Sequence, residues 1–109
     1  MKMNQMLQEE RQGDGMTLRL CGEIDHHRAA RLRCEMDERI RACRPSVLRL
    51  DASGVSFMDS SGLGLIMGRY ALLERLGGKL VLCEPSPTVE RMVHLAGMER
   101  IIKIEKKGK

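Results

Sequence analysis

Aromatic side chains are nearly absent from this chain. Its 109 residues include no Trp, one Phe (Phe57) and one Tyr (Tyr70). Proteins that grip single-stranded nucleic acid stack bases on aromatic platforms, so the formal net charge of +4 does not by itself argue for that partner. The charge is also badly placed for it. Residues 103–109 hold four lysines and one glutamate, whereas residues 1–102 carry 15 basic and 14 acidic groups. The arginine-rich stretch Arg28–Arg44 is interleaved with Glu35, Asp37 and Glu38 and reads as a solvated helix face. No nucleic-acid partner is expected.

Long apolar runs are lacking too. No stretch approaches the ~18 residues that a membrane helix needs, so no membrane partner is expected. The segment Met1–Glu10 has no apolar core and does not read as a secretory signal. A cytoplasmic protein is the expectation. The four cysteines (21, 34, 43 and 83) form no Cys-x-x-Cys pair and read as small buried thiols in a reducing compartment. His26, His27 and Cys34 lack the short paired spacing of a zinc site. No metal and no other cofactor is expected. There is no Gly-Lys-Ser/Thr phosphate loop, no Gly-x-Ser-x-Gly elbow and no histidine placed for a triad. The chain does not read as an enzyme.

The chain has what one folded domain requires: 42% hydrophobic and 31% charged residues at a length typical of a single core. Residues 3–22 read as a hairpin, with Gly13-Asp14-Gly15 as its tight turn and Met16–Cys21 alternating apolar and polar. Gly22–Asp25 reads as a short loop. Asp25 is a good N-cap for a helix over about 26–43, whose apolar stripe is Ala29, Leu32, Met36 and Ile40. Arg44-Pro45 ends it. Ser46–Asp51 reads as a strand, Ala52-Ser53-Gly54 as a turn and Val55–Met58 as a short extended run. Asp59 caps a second helix over about 60–76, closed by Gly77-Gly78. Lys79–Cys83 is a buried strand, Thr88–Ala96 a third helix, Ile101–Ile104 a last strand and residues 104–109 a frayed tail. The order β-β-α-β-α-β-α-β predicts an α/β domain over residues 1–109. It should hold a mixed sheet of four to five strands, opened by an antiparallel hairpin and packed against helices.

The unusual segment is Phe57–Gly68. Gly62, Gly64 and Gly68 fall inside a helix, where each costs about 1 kcal/mol relative to Ala. Two explanations stand open: close packing on the sheet, or a bare face that lets a partner's backbone approach. The glycines lie within the helix rather than in a strand-to-helix turn, so they make a poor dinucleotide fingerprint. Ser60 and Ser61 follow the cap, at a helix start that tolerates an anion well. Either both serines serve first-turn amides, or one is a phosphorylation site.

The run Phe57-Met-Asp-Ser-Ser-Gly-Leu-Gly64, continued by Gly68-Arg-Tyr70, resembles the phosphorylation segment of the anti-sigma factor antagonists, a STAS-domain family. Gly22-Glu-Ile-Asp-His-His27 is similar to that family's strand-to-helix loop, and with Gly77-Gly78 and Ser86-Pro87 the likeness is to its sporulation branch. The resemblance implies a STAS-like fold and a protein without activity of its own. Such a protein binds an anti-sigma factor that is also a serine kinase carrying ATP or ADP, and so frees a sporulation sigma factor. The kinase phosphorylates the first serine of the motif, here Ser60, which weakens binding, and a metal-dependent serine phosphatase reverses it. Asp25 maps to the kinase-binding surface. Asp59, Ser60, Ser61, Gly62 and Gly64 complete the surface around the serine, with Arg69 as a further contact. Phosphorylation is expected to act by local charge and bulk, with little refolding. The alternative is a STAS-like module that binds a small nucleotide or other ligand at the glycine-rich helix start.

Overall fold

A computed structural model describes residues 7–107. Five strands form one sheet in chain order: β1 (Leu7–Gln12), β2 (Gly15–Ile24), β3 (Val47–Met58), β4 (Lys79–Cys83) and β5 (Lys103–Glu105). β1 and β2 are antiparallel and every later neighbour is parallel. The crossovers are α1 (His26–Cys43), α2 (Ser60–Arg75) and α3 (Pro87–Leu95), with a 3₁₀ turn at Met98–Arg100 before β5. The mixed sheet and the opening hairpin follow the sequence pattern. Positions 3–6 of the expected hairpin lie outside the described residues.

The core forms where period-two strands meet period-3.6 helices. Leu18, Leu20, Leu48, Leu50, Leu80 and Leu82 point to one face of the sheet. Leu32, Met36 and Ile40 of α1, Ile66 and Leu73 of α2, and Val89 and Val93 of α3 close over it. The opposite face of the sheet carries Arg19, Asp51, Arg49 and Glu105. There Arg19 Nε donates to Asp51 Oδ2 at 3.2 Å, and Arg49 pairs with Glu105.

The structure departs from the sequence reading at the centre of the sheet. The expected turn at Ala52-Ser53-Gly54 is absorbed into the long strand β3, and of the expected loop at Gly22–Asp25 all but the cap residue Asp25 is absorbed into β2. Asp51 Oδ1 accepts from the Ser53 amide (2.9 Å) and hydroxyl (2.8 Å), so the turn-like local bonds exist inside the strand. Their effect is irregular register: β2 and β3 slip between Arg19 and Cys21 and again between Gly22 and Glu23. Gly22 holds φ +87° there, a conformation that a side chain would resist.

Smaller differences lie elsewhere. α3 begins at Pro87, whose missing amide is no loss at a first helical position. The last strand is Lys103–Glu105 rather than Ile101–Ile104, and Lys106 pairs with Glu90, so residues 104–106 of the expected tail are held; positions 108–109 lie outside the described residues. The cysteines are not buried: Cys34 is exposed, and Cys21, Cys43 and Cys83 are half-buried and free. Cys34 lies off the apolar stripe of α1, which explains its exposure.

Candidate functional site

Strand register builds the site. β2 ends at Ile24 and β3 at Met58, and these two residues are partners in the sheet. The residue after each is an aspartate that starts a helix. The Asp59 amide donates back to the Ile24 carbonyl at 3.3 Å, which ties the two strand ends together. α1 and α2 therefore begin side by side. Asp25 Oδ1 accepts from the Arg28 amide at 2.9 Å, and Asp59 Oδ1 accepts from the Ser61 amide at 2.8 Å. The bond from the Arg28 amide holds the Asp25 carboxyl below the usual carboxylate range. Two anionic caps thus sit on two adjacent electropositive helix ends.

The two serines differ. Ser61 lies 3.4 Å (Oγ) from His26 Nδ1 across the helix pair, and its amide is taken by Asp59. Ser60 is exposed, and among the described residues nothing engages its hydroxyl. The histidine at the start of α1 is thus more than a surface residue, because it touches the second serine.

The glycines also differ in what surrounds them. A Cβ on Gly62 would lie 2.1 Å from Met58 Cγ and 2.5 Å from its Sδ, so Gly62 is there for close packing. A Cβ on Gly64 or Gly68 would meet nothing within 4 Å. Those two leave a bare strip on α2. Beside it runs a shallow groove of about 350 Å³ lined by His26, Ala29, Ala30 and Arg33 of α1 and by Ser61, Gly64 and Leu65 of α2. Phe57, one of only two aromatic residues in the chain, lies 48% exposed at the end of β3, two residues before the Asp59 cap.

Asp25, Asp59, Ser60, Ser61 and Gly64 come together at one end of the domain, with Gly62 beneath them. Arg69 does not join them. It is 6% exposed and lies two to three turns along α2, with its Nε 2.8 Å from Asp37 Oδ1 of α1. Its place on the buried side of α2, in register with Leu65 and Leu72, takes it out of reach of a partner.

Comparison with known proteins fits this geometry. The STAS domain family model matches residues 6–108. The chain belongs to the STAS domain family. The STAS domain described here is 40% identical to an anti-sigma F factor antagonist of Paenibacillus polymyxa, over 94% of this chain and 87% of that one. It is 34% identical to an anti-sigma-B factor antagonist of Listeria monocytogenes, over 89% of this chain and 84% of the relative. The unphosphorylated form of the anti-sigma factor antagonist SpoIIAA matches with a TM-score of 0.80 at 31% identity, covering 94% of this chain and 89% of that one. Its phosphorylated form matches with a TM-score of 0.74 at 30% identity, covering 94% and 92%. Among the described residues, no helix of this STAS domain is long and apolar enough to cross a membrane.

Two features of the site escape a reading of the sequence. His26 meets Ser61 from 35 positions away, and the groove needs both helices in place. The spacing of His26, Ala29, Ala30 and Arg33 along one side of α1 is the signal that could have found the groove, since residues three and four apart share a helix face.

Proposed function

We propose that this chain is an anti-sigma factor antagonist switched by phosphorylation of Ser60. In its unmodified form the paired helix starts, the bare strip at Gly64 and Gly68 and the exposed Phe57 form a docking surface for an anti-sigma factor serine kinase with its bound nucleotide. Docking releases the sporulation sigma factor in the cytoplasm. The observation that carries this reading is the contrast between the serines: Ser60 presents an unengaged hydroxyl at the exposed helix start, while Ser61 is occupied by His26 and Asp59. Relatives named as anti-sigma factor antagonists support it.

The off state follows from electrostatics. A phosphate on Ser60 brings about −1.5 to −2 charges to a spot already flanked by Asp25 and Asp59. The helix start itself tolerates the anion, so the fold holds. An approaching partner that accommodates two carboxylates would have to desolvate a third, stronger anion, and like charges brought together at an interface cost several kcal/mol. SpoIIAA in its unphosphorylated and phosphorylated forms matches this chain with TM-scores of 0.80 and 0.74, which supports a switch with little refolding. A metal-dependent serine phosphatase would reset it.

The test is incubation with the anti-sigma factor kinase and ATP, followed by mass mapping of the wild type, Ser60→Ala and Ser61→Ala. Phosphate should appear on Ser60, vanish in Ser60→Ala and persist in Ser61→Ala. Transfer to Ser61 in the wild type, or none at all, would defeat the proposal. Ser60→Asp should bind the kinase more weakly than wild type.

A further inference from the structure

Arg69 is the one buried charged residue among those described, and its counter-charge comes from the neighbouring helix. The two atoms in contact, Arg69 Nε and Asp37 Oδ1, are both fully enclosed, and neither has an aligned hydrogen-bond partner. Arg69 Nη1 donates only a long bond, 3.4 Å, to the Leu65 carbonyl of its own helix. Burial disfavours the charged guanidinium, Asp37 offsets this, and Arg33 and Arg41 of α1 add like charge nearby. Such a pair is a poor source of stability, because desolvating Arg69 fully and Asp37 in part offsets much of what their attraction returns. The best-attested use of such a pair is to fix register.

The placement suits that use. α1 faces α2 through His26, Ala29, Ala30, Arg33 and Asp37, and α2 answers with Ser61, Gly64, Leu65 and Arg69. Helical rise puts Asp37 about 16 Å from His26 and Arg69 about 12 Å from Ser61, so the helices run in the same direction from a common start. Between the two polar contacts the seam holds the small Ala29, Ala30 and Gly64 beside the larger Arg33 and Leu65, and the shallow groove there leaves the two helices incompletely interlocked. We propose that the Arg69–Asp37 pair is the pin that sets α1 against α2, and so fixes the spacing between the Asp25 and Asp59–Ser60 helix starts that the partner reads. Arg69 is then a positioning residue rather than a contact. The inference rests on the docking surface described under the proposed function.

The experiment replaces the pair with apolar side chains of similar size, Arg69→Met with Asp37→Leu. Thermal unfolding should show a melting temperature at or above wild type. Binding to the anti-sigma factor kinase should nonetheless weaken by about tenfold, the scale on which a slightly displaced set of contacts shows. Amide NMR shifts should move at Asp25–Arg28 and Ser60–Gly62 and stay fixed at Leu48–Leu50. Arg69→Lys, which keeps a charge for Asp37, should restore most of the binding. Wild-type binding by the double variant, or unmoved shifts at both helix starts, overturns the inference. Should the double variant fail to fold, Asp37→Asn serves: a folded Asp37→Asn protein that binds as wild type overturns it equally. A wild-type chain that does not bind the kinase at all instead defeats the proposed function, and this inference with it.

Discussion

The three glycines of α2 can be told apart by substitution. A glycine inside a helix costs about 1 kcal/mol relative to alanine, through the backbone freedom it surrenders on folding. At Gly64 and Gly68 a methyl group would meet nothing within 4 Å, so alanine should recover that cost with no steric penalty. Each of Gly64→Ala and Gly68→Ala should stabilise the domain by about 1 kcal/mol, since both sites project into open space. For a chain of 109 residues, 1 kcal/mol corresponds to about 4 °C in melting temperature. Gly62→Ala should do the reverse. Its methyl would fall 2.1 Å from Met58 Cγ, in the middle of a side chain that is itself buried, and displacing Met58 is an overpacking of the kind that costs about 1–3 kcal/mol. Urea unfolding gives the three stabilities, and calorimetry or surface capture of the anti-sigma factor kinase gives the affinities. The decisive pattern is a crossing: Gly64→Ala and Gly68→Ala more stable yet weaker in binding, because the methyl groups stand where a partner's backbone approaches. Variants that gain stability and bind as wild type would remove the bare strip from the docking surface. Variants that lose stability would show that a hidden contact, not a partner, explains the two glycines.

Other substitutions test the frame that holds the site. Asp59→Ala removes the cap of α2 and should cost about 1 kcal/mol in urea unfolding, with faster amide exchange at Ser61, whose partner is lost. Gly78→Ala would place a methyl 2.6 Å from the Pro45 carbonyl oxygen and 2.8 Å from Leu73 Cδ1. Backbone cannot step aside as a side-chain tip can, so a loss of about 1–3 kcal/mol, seen as a lower urea midpoint at unchanged slope, is expected. Burial opposes ionisation of the Asp51 carboxyl, but the bonds from Ser53 and Arg19 outweigh it and lower its pKa. A depressed carboxylate stabilises the fold above its unfolded pKa, near ~3.9, and that contribution fades as pH falls through the folded value. The stability gap between wild type and Asp51→Asn should therefore shrink between about pH 5 and about pH 2, and a gap constant across that window would contradict the assignment.

What the sequence reveals here is what a few neighbouring residues decide. The Asp25 and Asp59 caps, the hairpin turn and the stop at Gly77-Gly78 each rest on bonds spanning a few positions, and α1 occupies the expected range, His26–Cys43. The turn expected at Ala52–Gly54 is instructive because its local bonds do form. They are overridden by pairing with β2, whose ladder runs on through a register slip, and no local pattern reports that ladder. The site itself is a set of distant meetings: Ile24 beside Met58, His26 beside Ser61, Asp37 beside Arg69. The last of these did leave a trace. Leu65, Arg69, Leu72 and Leu73 share one side of α2 at spacings of three and four. A charge placed in that stripe must be buried, and a buried charge needs an opposite one close by. Periodicity therefore argues that Arg69 faces inward to a counter-ion, whereas the motif around it suggested an outward contact. Where a motif and a helical stripe disagree about one side chain, the stripe carries the greater energy and settles where it points.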